Sequence, residues 1–100
     1  MQLIIESPHV AVDNKLQKLI MDRFGYIGKI YDRIVKCQVL LKKEPDNREF
    51  FFSIEAILIL PGCSLFARDK AATFEMALHK IIDDITRQLR RYKDKREEIW

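Results

Sequence analysis

Apolar residues recur along this chain with two periods, and the changes of period divide it into six elements. Gln2–Glu6 is a short apolar run closed by Ser7-Pro8, which predicts a first strand. From Asp13 the pattern turns helical. Asp13 offers an N-cap, and Leu16, Leu19, Ile20 and Phe24 share one face of a helix of about three turns, with Gly25 and Gly28 expected to end it. Ile34–Lys43 then alternates, with Val35, Cys37, Val39 and Leu41 set against Lys36, Gln38 and Lys42, the period of a half-buried strand. Glu44-Pro45-Asp46-Asn47 supplies turn residues, and Arg48–Leu60 is a second long strand rich in Phe and Ile. Pro61-Gly62 signals a tight turn, and Cys63–Ala67 is a short strand antiparallel to its predecessor. Finally Phe74, Leu78, Ile81, Ile82, Ile85, Leu89 and Tyr92 step by four, three, one, three, four and three residues. That is the clearest period in the chain, and it predicts a helix over Ala72–Arg96. At 1.5 Å per residue it runs about 37 Å, so its C-terminal end is expected to project beyond a four-stranded sheet. The expected architecture is α+β in the order β-α-β-β-β-α, a single domain over residues 1–100 with both helices on one face of a four-stranded sheet.

Composition narrows the function classes. The chain has 100 residues, room for one core, and a formal net charge of +3 that by itself says little about partners. Two cysteines, Cys37 and Cys63, make neither a disulfide framework nor a zinc site, and read as small residues on strands. The start of the chain lacks the pattern of a cleavable signal, and no apolar run approaches the roughly 18 residues of a membrane span, so no membrane partner and a cytoplasmic location are expected.

Catalytic patterns are missing as well. His9 and His79 have no cysteine or carboxylate at metal-ligand spacing. Asp83 and Asp84 are adjacent, hence about 100° apart on a helix, and cannot face each other as an acid–base pair; Asp83 instead stands four residues before Arg87, the favourable order for an intrahelical ion pair. Gly25-Tyr26-Ile27-Gly28 is not a phosphate-cradling loop, and Ser7, Ser53 and Ser64 sit in no nucleophile elbow. A non-enzymatic protein with no cofactor, no metal and no small-molecule substrate is expected.

The strongest chemical signal is the end of the last helix. Between Thr86 and Arg96 six residues are basic and one is acidic. Arg87, Arg91 and Lys95 recur every four positions as a ridge, widened by Arg90 and Lys93, and such a row can meet successive phosphates through charge-assisted hydrogen bonds. Cations also suit a helix C-terminus for the macrodipole alone, worth about 0.3–1 kcal/mol each, so charge does not by itself decide for nucleic acid. The first helix adds Lys15, Lys18 and Arg23, followed by Lys29 and Arg33, and side-by-side helices would merge the two sets. Contacts to phosphate and RNA shape are expected over base reading, with Phe50 to Phe52 the one candidate for stacking on the sheet.

Several stretches resemble one family. Thr73-Phe74-Glu75-Met76-Ala77 and Arg87-Gln88-Leu89-Arg90-Arg91-Tyr92-Lys93 are similar to the closing helix of the ribosome hibernation promoting factors, also called sigma-54 modulation or ribosome-associated inhibitor proteins. His9-Val10, Asp32-Arg33-Ile34 and Lys43-Glu44-Pro45 continue the resemblance in the same order along the chain. It implies a fold similar to double-stranded RNA-binding domains and a site in the decoding channel of the small ribosomal subunit. There the protein would occlude tRNA and mRNA and store ribosomes during starvation. The family's RNA-contacting positions carry over as Arg23, Lys29, Arg33, Arg87, Arg91 and Lys95, with Arg90 and Lys93 added here from charge geometry. The chain resembles the short type, for which a second hibernation factor is the implied partner in ribosome dimers. It departs from the family at Gly25-Tyr26-Ile27-Gly28, where a Lys-Leu-rich helical segment is usual. Two other classes stay open: a general structured-RNA-binding domain, and a protein-interaction module modulating transcription.

Overall fold

A computed structural model describes residues 1–47 and 49–98 of the chain. The elements follow the order β1 (Gln2–Glu6), α1 (Asn14–Ile30), β2 (Lys36–Asp46), β3 (Glu49–Leu60), β4 (Cys63–Ala71) and α2 (Phe74–Glu98). The strands form one sheet in the order β1-β2-β3-β4; β1 lies parallel to β2, and the other pairs are antiparallel. Alternation decides which face is buried. Cys37, Val39 and Leu41 of β2 and Ile54, Ala56, Leu58 and Leu60 of β3 join Ala67 in one core with Ile20, Phe24 and Ile27 of α1 and Ile81, Ile85 and Leu89 of α2. Both helices therefore cover the same face of the sheet, as expected.

The first helix does not stop at its glycines. It runs 17 residues to Ile30, through both Gly25 and Gly28, neither of which has positive φ. Each glycine in a helix interior costs roughly 0.5–1 kcal/mol relative to alanine. That cost is outweighed by Ile27, fully buried one turn beyond Phe24, since fully burying one such side chain is worth about 1.5–3 kcal/mol. Asp13 caps the start as expected, its Oδ1 accepting from the Leu16 amide at 2.7 Å.

The second strand begins two residues later than alternation indicates. Ile34 is 3% exposed and Val35 56%, so the alternating pattern starts properly only at Lys36. At its far end β2 absorbs Glu44, Pro45 and Asp46, which had the composition of a turn. Asp46 pairs with Glu49, leaving a two-residue connection whose Asn47 takes φ 56°, the left-handed conformation that tight hairpins need. Arg48, expected to open β3, lies outside the described residues. Pro45 is tolerated because it lies beyond the last partner of β2 on β1, where only one edge of the strand is paired. The last turn is where it was expected: Gly62 has φ 81° between Leu60 and Cys63. Strand β4 continues four residues past Ala67, held by pairing as far as Phe52–Ala71.

Thr73 rather than Ala72 borders the second helix, its Oγ1 accepting from the Met76 amide at 3.1 Å. Ile82, grouped with the core stripe, is only half-buried and faces the groove between the helices. The helix does overhang the sheet. The Tyr92 hydroxyl reaches the Pro61 carbonyl in the β3–β4 turn at 3.5 Å, so the residues beyond it, to Glu98, extend about 9 Å past the sheet end.

Candidate nucleic-acid interface

The helices run parallel. Leu19 and Arg23 of α1 share a groove with Glu75, Leu78, His79 and Ile82 of α2, while at their far ends the Lys93 Nζ donates to the Ile30 carbonyl at 3.4 Å. Both C-termini therefore lie at the same end of the molecule, next to the Pro61-Gly62 turn.

Helix geometry then sorts the cations of α2. With 100° per residue and the stripe Ile81–Ile85–Leu89 turned to the sheet, Arg90 and Lys93 fall on the flank facing α1, and Arg91 and Lys95 on the flank facing the β4 edge. Contacts agree with this division. Lys93 meets α1, whereas Gln88 on the other flank donates to the Phe66 carbonyl of β4 at 2.9 Å, and Arg91 and Lys95 line a recess with Leu65, Gln88 and Tyr92. Arg87 lies near the outer crest, where its Nη2 donates to the Asp83 Oδ2 at 3.1 Å, the ion pair expected from their spacing. Both groups of that pair are largely exposed, so it is worth little in stability and leaves the guanidinium able to change partners. Among the described residues, Asp83 is the only carboxylate within 4 Å of any of the expected RNA-contacting side chains.

The cations of α1 divide too. Lys29 is exposed in the last helical turn and Arg33 in the following loop, so both stand at the end occupied by Lys93. Arg23 does not join them; it borders the groove further up, beside Glu75 and His79. The single merged surface expected from side-by-side helices is thus a patch at the helix C-termini, with Arg23 set apart from it.

Arg96 was counted in the basic run but not singled out. Its guanidinium lies over the Tyr92 ring, 5.6 Å from the centroid, on the side of α2 that faces the sheet. The signal for it in the sequence is the spacing Tyr92–Arg96, one helical turn. Tyr92 in turn meets Tyr31 edge-on at 5.8 Å.

Other features are structural. Asp69 of β4 lies close to Asp84 of α2; burial first, then the Asp84 charge and hydrogen bond, hold the Asp69 carboxyl above the usual carboxylate range, against the opposing pull of Lys80 and Arg87. Burial pushes the Cys37 thiol up to about 12. His9 and His79 are exposed, and no cluster of three or more potential metal ligands occurs among the described residues. No helix among those residues is long and apolar enough to cross a membrane. The aromatic run of β3 offers little to stacking bases. Phe52 packs on Phe74, Lys70 covers the Phe51 ring at 4.7 Å, and Lys43 covers the Phe50 ring at 4.5 Å. On the sheet face away from the helices, Arg68 bridges to Glu44 at 2.8 Å and to Glu55 at 3.5 Å.

Comparison with known proteins agrees with this fold. Residues 3–97 match the family model described as sigma 54 modulation protein / S30EA ribosomal protein. A ribosome hibernation promoting factor from Acinetobacter guillouiae is 33% identical, over 93% of this chain and 88% of its own length. Its namesake from Escherichia coli K12 is 28% identical, over 95% of this chain and 96% of its own length. Among solved structures, a ribosomal subunit interface protein from Coxiella burnetii superposes with a TM-score of 0.82 at 18% identity, over 94% of this chain and 99% of that one. The N-terminal domain of Thermus thermophilus Protein Y gives 0.74 at 15% identity, over 92% and 99%. Both have the fold described above. Matched over nearly its whole length, the chain belongs to the sigma 54 modulation protein / S30EA ribosomal protein family.

Proposed function

We propose that this protein is a ribosome hibernation factor that binds the small ribosomal subunit in its decoding channel and silences translation by occluding tRNA and mRNA. The observation that carries the reading is the convergence of Lys29, Arg33, Arg87, Arg90, Arg91, Lys93 and Lys95 at one end of the helical layer, in a chain similar throughout to ribosome hibernation promoting factors. Arg23 extends the contact along the groove between the helices. The mechanism needs no bond making. Guanidinium and ammonium groups pair with rRNA phosphates and release their counterions, and the bound domain fills the space. The protein then acts in the cytoplasm, and a second hibernation factor is its partner where ribosomes are paired.

Co-sedimentation with ribosomes on a sucrose gradient at two salt concentrations tests this. The expected result is saturable binding to the small subunit that weakens with salt and is displaced by tRNA and mRNA. The double substitution Arg87→Glu/Arg91→Glu removes two exposed cations without touching the core and is expected to abolish co-sedimentation while far-UV circular dichroism stays unchanged. Full retention by that variant refutes the assigned surface. Equally tight binding to free duplex RNA would instead identify a general RNA-binding domain.

A further inference from the structure

The two edges of the sheet are finished differently. Along β4 the second helix closes the edge: the Gln88 Nε2 donates to the Phe66 carbonyl at 2.9 Å, and the Lys80 Nζ to the Lys70 carbonyl at 3.1 Å. Along β1 none of the described residues does so. This strand ends the strand order, with β2 as its one neighbour. The Gln2 amide donates to the Val35 carbonyl, so the backbone groups of Gln2, Ile4 and Glu6 turn to β2, and by alternation those of Leu3 and Ile5 point away from the sheet. Natural edges are commonly blunted by lysine, proline or a bulge, and Gln-Leu-Ile-Ile-Glu, paired in unbroken register, has none of the three.

We infer that the β1 edge pairs antiparallel with the β1 edge of a second copy of this chain, joining the two sheets into one. The strand is complementary to itself. Pairing centred on Ile4 sets Leu3 opposite Ile5, the residues whose backbone groups point outward, and each such pair exchanges both of its hydrogen bonds. It also sets Gln2 opposite Glu6, an amide against a carboxylate rather than two like charges. Leu3 and Ile5 pack toward the core in both copies, so all the helices lie on one face of the joined sheet. The Met1 side chain lies against Gly28 near the end of α1, so β1 starts at the basic end of the molecule. Antiparallel pairing therefore sends the two basic ends apart, where they do not repel. Above the edge, the flank of α1 turned away from α2 carries Gln17, Met21, Gly25 and Gly28, none of them charged, while Lys15, Lys18 and Lys29 stand on the outer crest. A second copy brings its own α1 beside that uncharged flank, which a lone peptide strand would leave open. The assembly closes at two copies, because Gln88 and Lys80 occupy the β4 edges on its far sides. A five-residue strand makes a small interface, so the dimer is weak and forms with concentration. This pairing stands independently of the ribosome-binding reading.

Sedimentation velocity over a wide range of concentration, together with hydrogen exchange at the Leu3 and Ile5 amides, tests this on the full chain. The expected result is a monomer–dimer equilibrium without larger species, and exchange at both amides that slows as the dimer forms. Two substitutions at Gln2 then test the register. Gln2 is exposed, so neither disturbs the core, and circular dichroism checks the fold. Gln2→Lys places an ammonium opposite Glu6 and is expected to tighten the dimer about fivefold, whereas Gln2→Glu places two carboxylates opposite each other and should weaken it about as much. Net charge alone predicts the reverse order, since Gln2→Lys makes a chain of net charge +3 more basic. A protein monomeric at every concentration overturns the inference, and so does that reverse order. A dimer whose Leu3 and Ile5 amides exchange as fast as in the monomer places the contact elsewhere and overturns it too. Protection that appears only when ribosomes are added to a monomeric chain gives the edge to a ribosomal partner and likewise overturns the pairing of copies.

Discussion

Replacing Gly25 with alanine separates the helix that the chain forms from the one its glycines suggest. In the structure Gly25 lies inside α1, is exposed, and has open space around the position of a Cβ, with no heavy atom within 4 Å. A methyl group there meets no clash and gains no packing. What remains is the intrinsic difference between glycine and alanine in a helix interior, about 0.8–1.0 kcal/mol in favour of alanine. Much of it arises from the smaller freedom of the unfolded chain. For a domain of this size 1 kcal/mol corresponds to about 4–8 °C in Tm, so Gly25→Ala is expected to raise Tm by roughly that amount. Gly28→Ala should gain a similar amount, because its Cβ would meet only the flexible Met1 side chain, at 3.4 Å and beyond, which is ordinary van der Waals contact. Thermal and urea unfolding followed by circular dichroism measures both. Had the helix ended at Gly25, the residue closing it would sit in the left-handed region, where alanine is strained and destabilising. A fall in Tm for Gly25→Ala would therefore refute a continuous α1, and with it the placement of Lys29 in the last helical turn.

Two further outcomes follow from the buried groups. Asp69 binds its proton more tightly in the folded than in the unfolded chain. The stability linked to that proton is thus fully present below the unfolded value of 3.8 and is lost as pH rises through the raised folded value. Asp69→Asn should accordingly stabilise the protein at pH 7, with an advantage over wild type that shrinks as pH falls toward 3.8, read from urea midpoints across that range; a variant less stable at pH 7 would show that Lys80 and Arg87 outweigh burial and Asp84. With its thiol buried and pushed up to about 12, Cys37 should resist a thiol reagent until the protein unfolds, whereas the half-buried Cys63 reacts first; rapid labelling of both in the native state would contradict the packing.

Legibility in the sequence followed the length of the periodic signal. Helix α2 shows seven apolar positions in register, and its span was placed within two residues at each end. Strand boundaries were less visible because pairing, not residue preference, sets them. Pro45 and Asp46 look like a turn, but Phe50 and Glu49 across the ladder hold them in the strand. The glycines of α1 misled for a related reason. Local propensity is worth about 1 kcal/mol at each, and the core beyond them reaches Ile27 and is bordered by Ile30 and Tyr31. The candidate site was readable as a list of cations but not as a shape. Which of them face α1, which face β4 and which turn under the helix depends on where the apolar stripe meets the sheet, and on the overhang beyond Tyr92.

The magnitude of the charge decides between a solvated helix end and an interface. Two parallel helices place two C-termini at one end of the molecule, and each macrodipole amounts to about half a negative charge there. Neutralising both would take about one cation. The second half of α2 alone carries six basic residues against Asp94, Glu97 and Glu98, and Lys29 and Arg33 are added by α1 and its loop against Asp32. The excess is several times what the helix ends require, and it is gathered at one end of a chain whose net charge is only +3. Charge concentrated to that degree repels itself in the free protein, so it is a cost to stability that a polyanionic partner relieves. Removing one cation from the patch should therefore leave the free domain no less stable while weakening its hold on RNA, the opposite of what a helix cap would do.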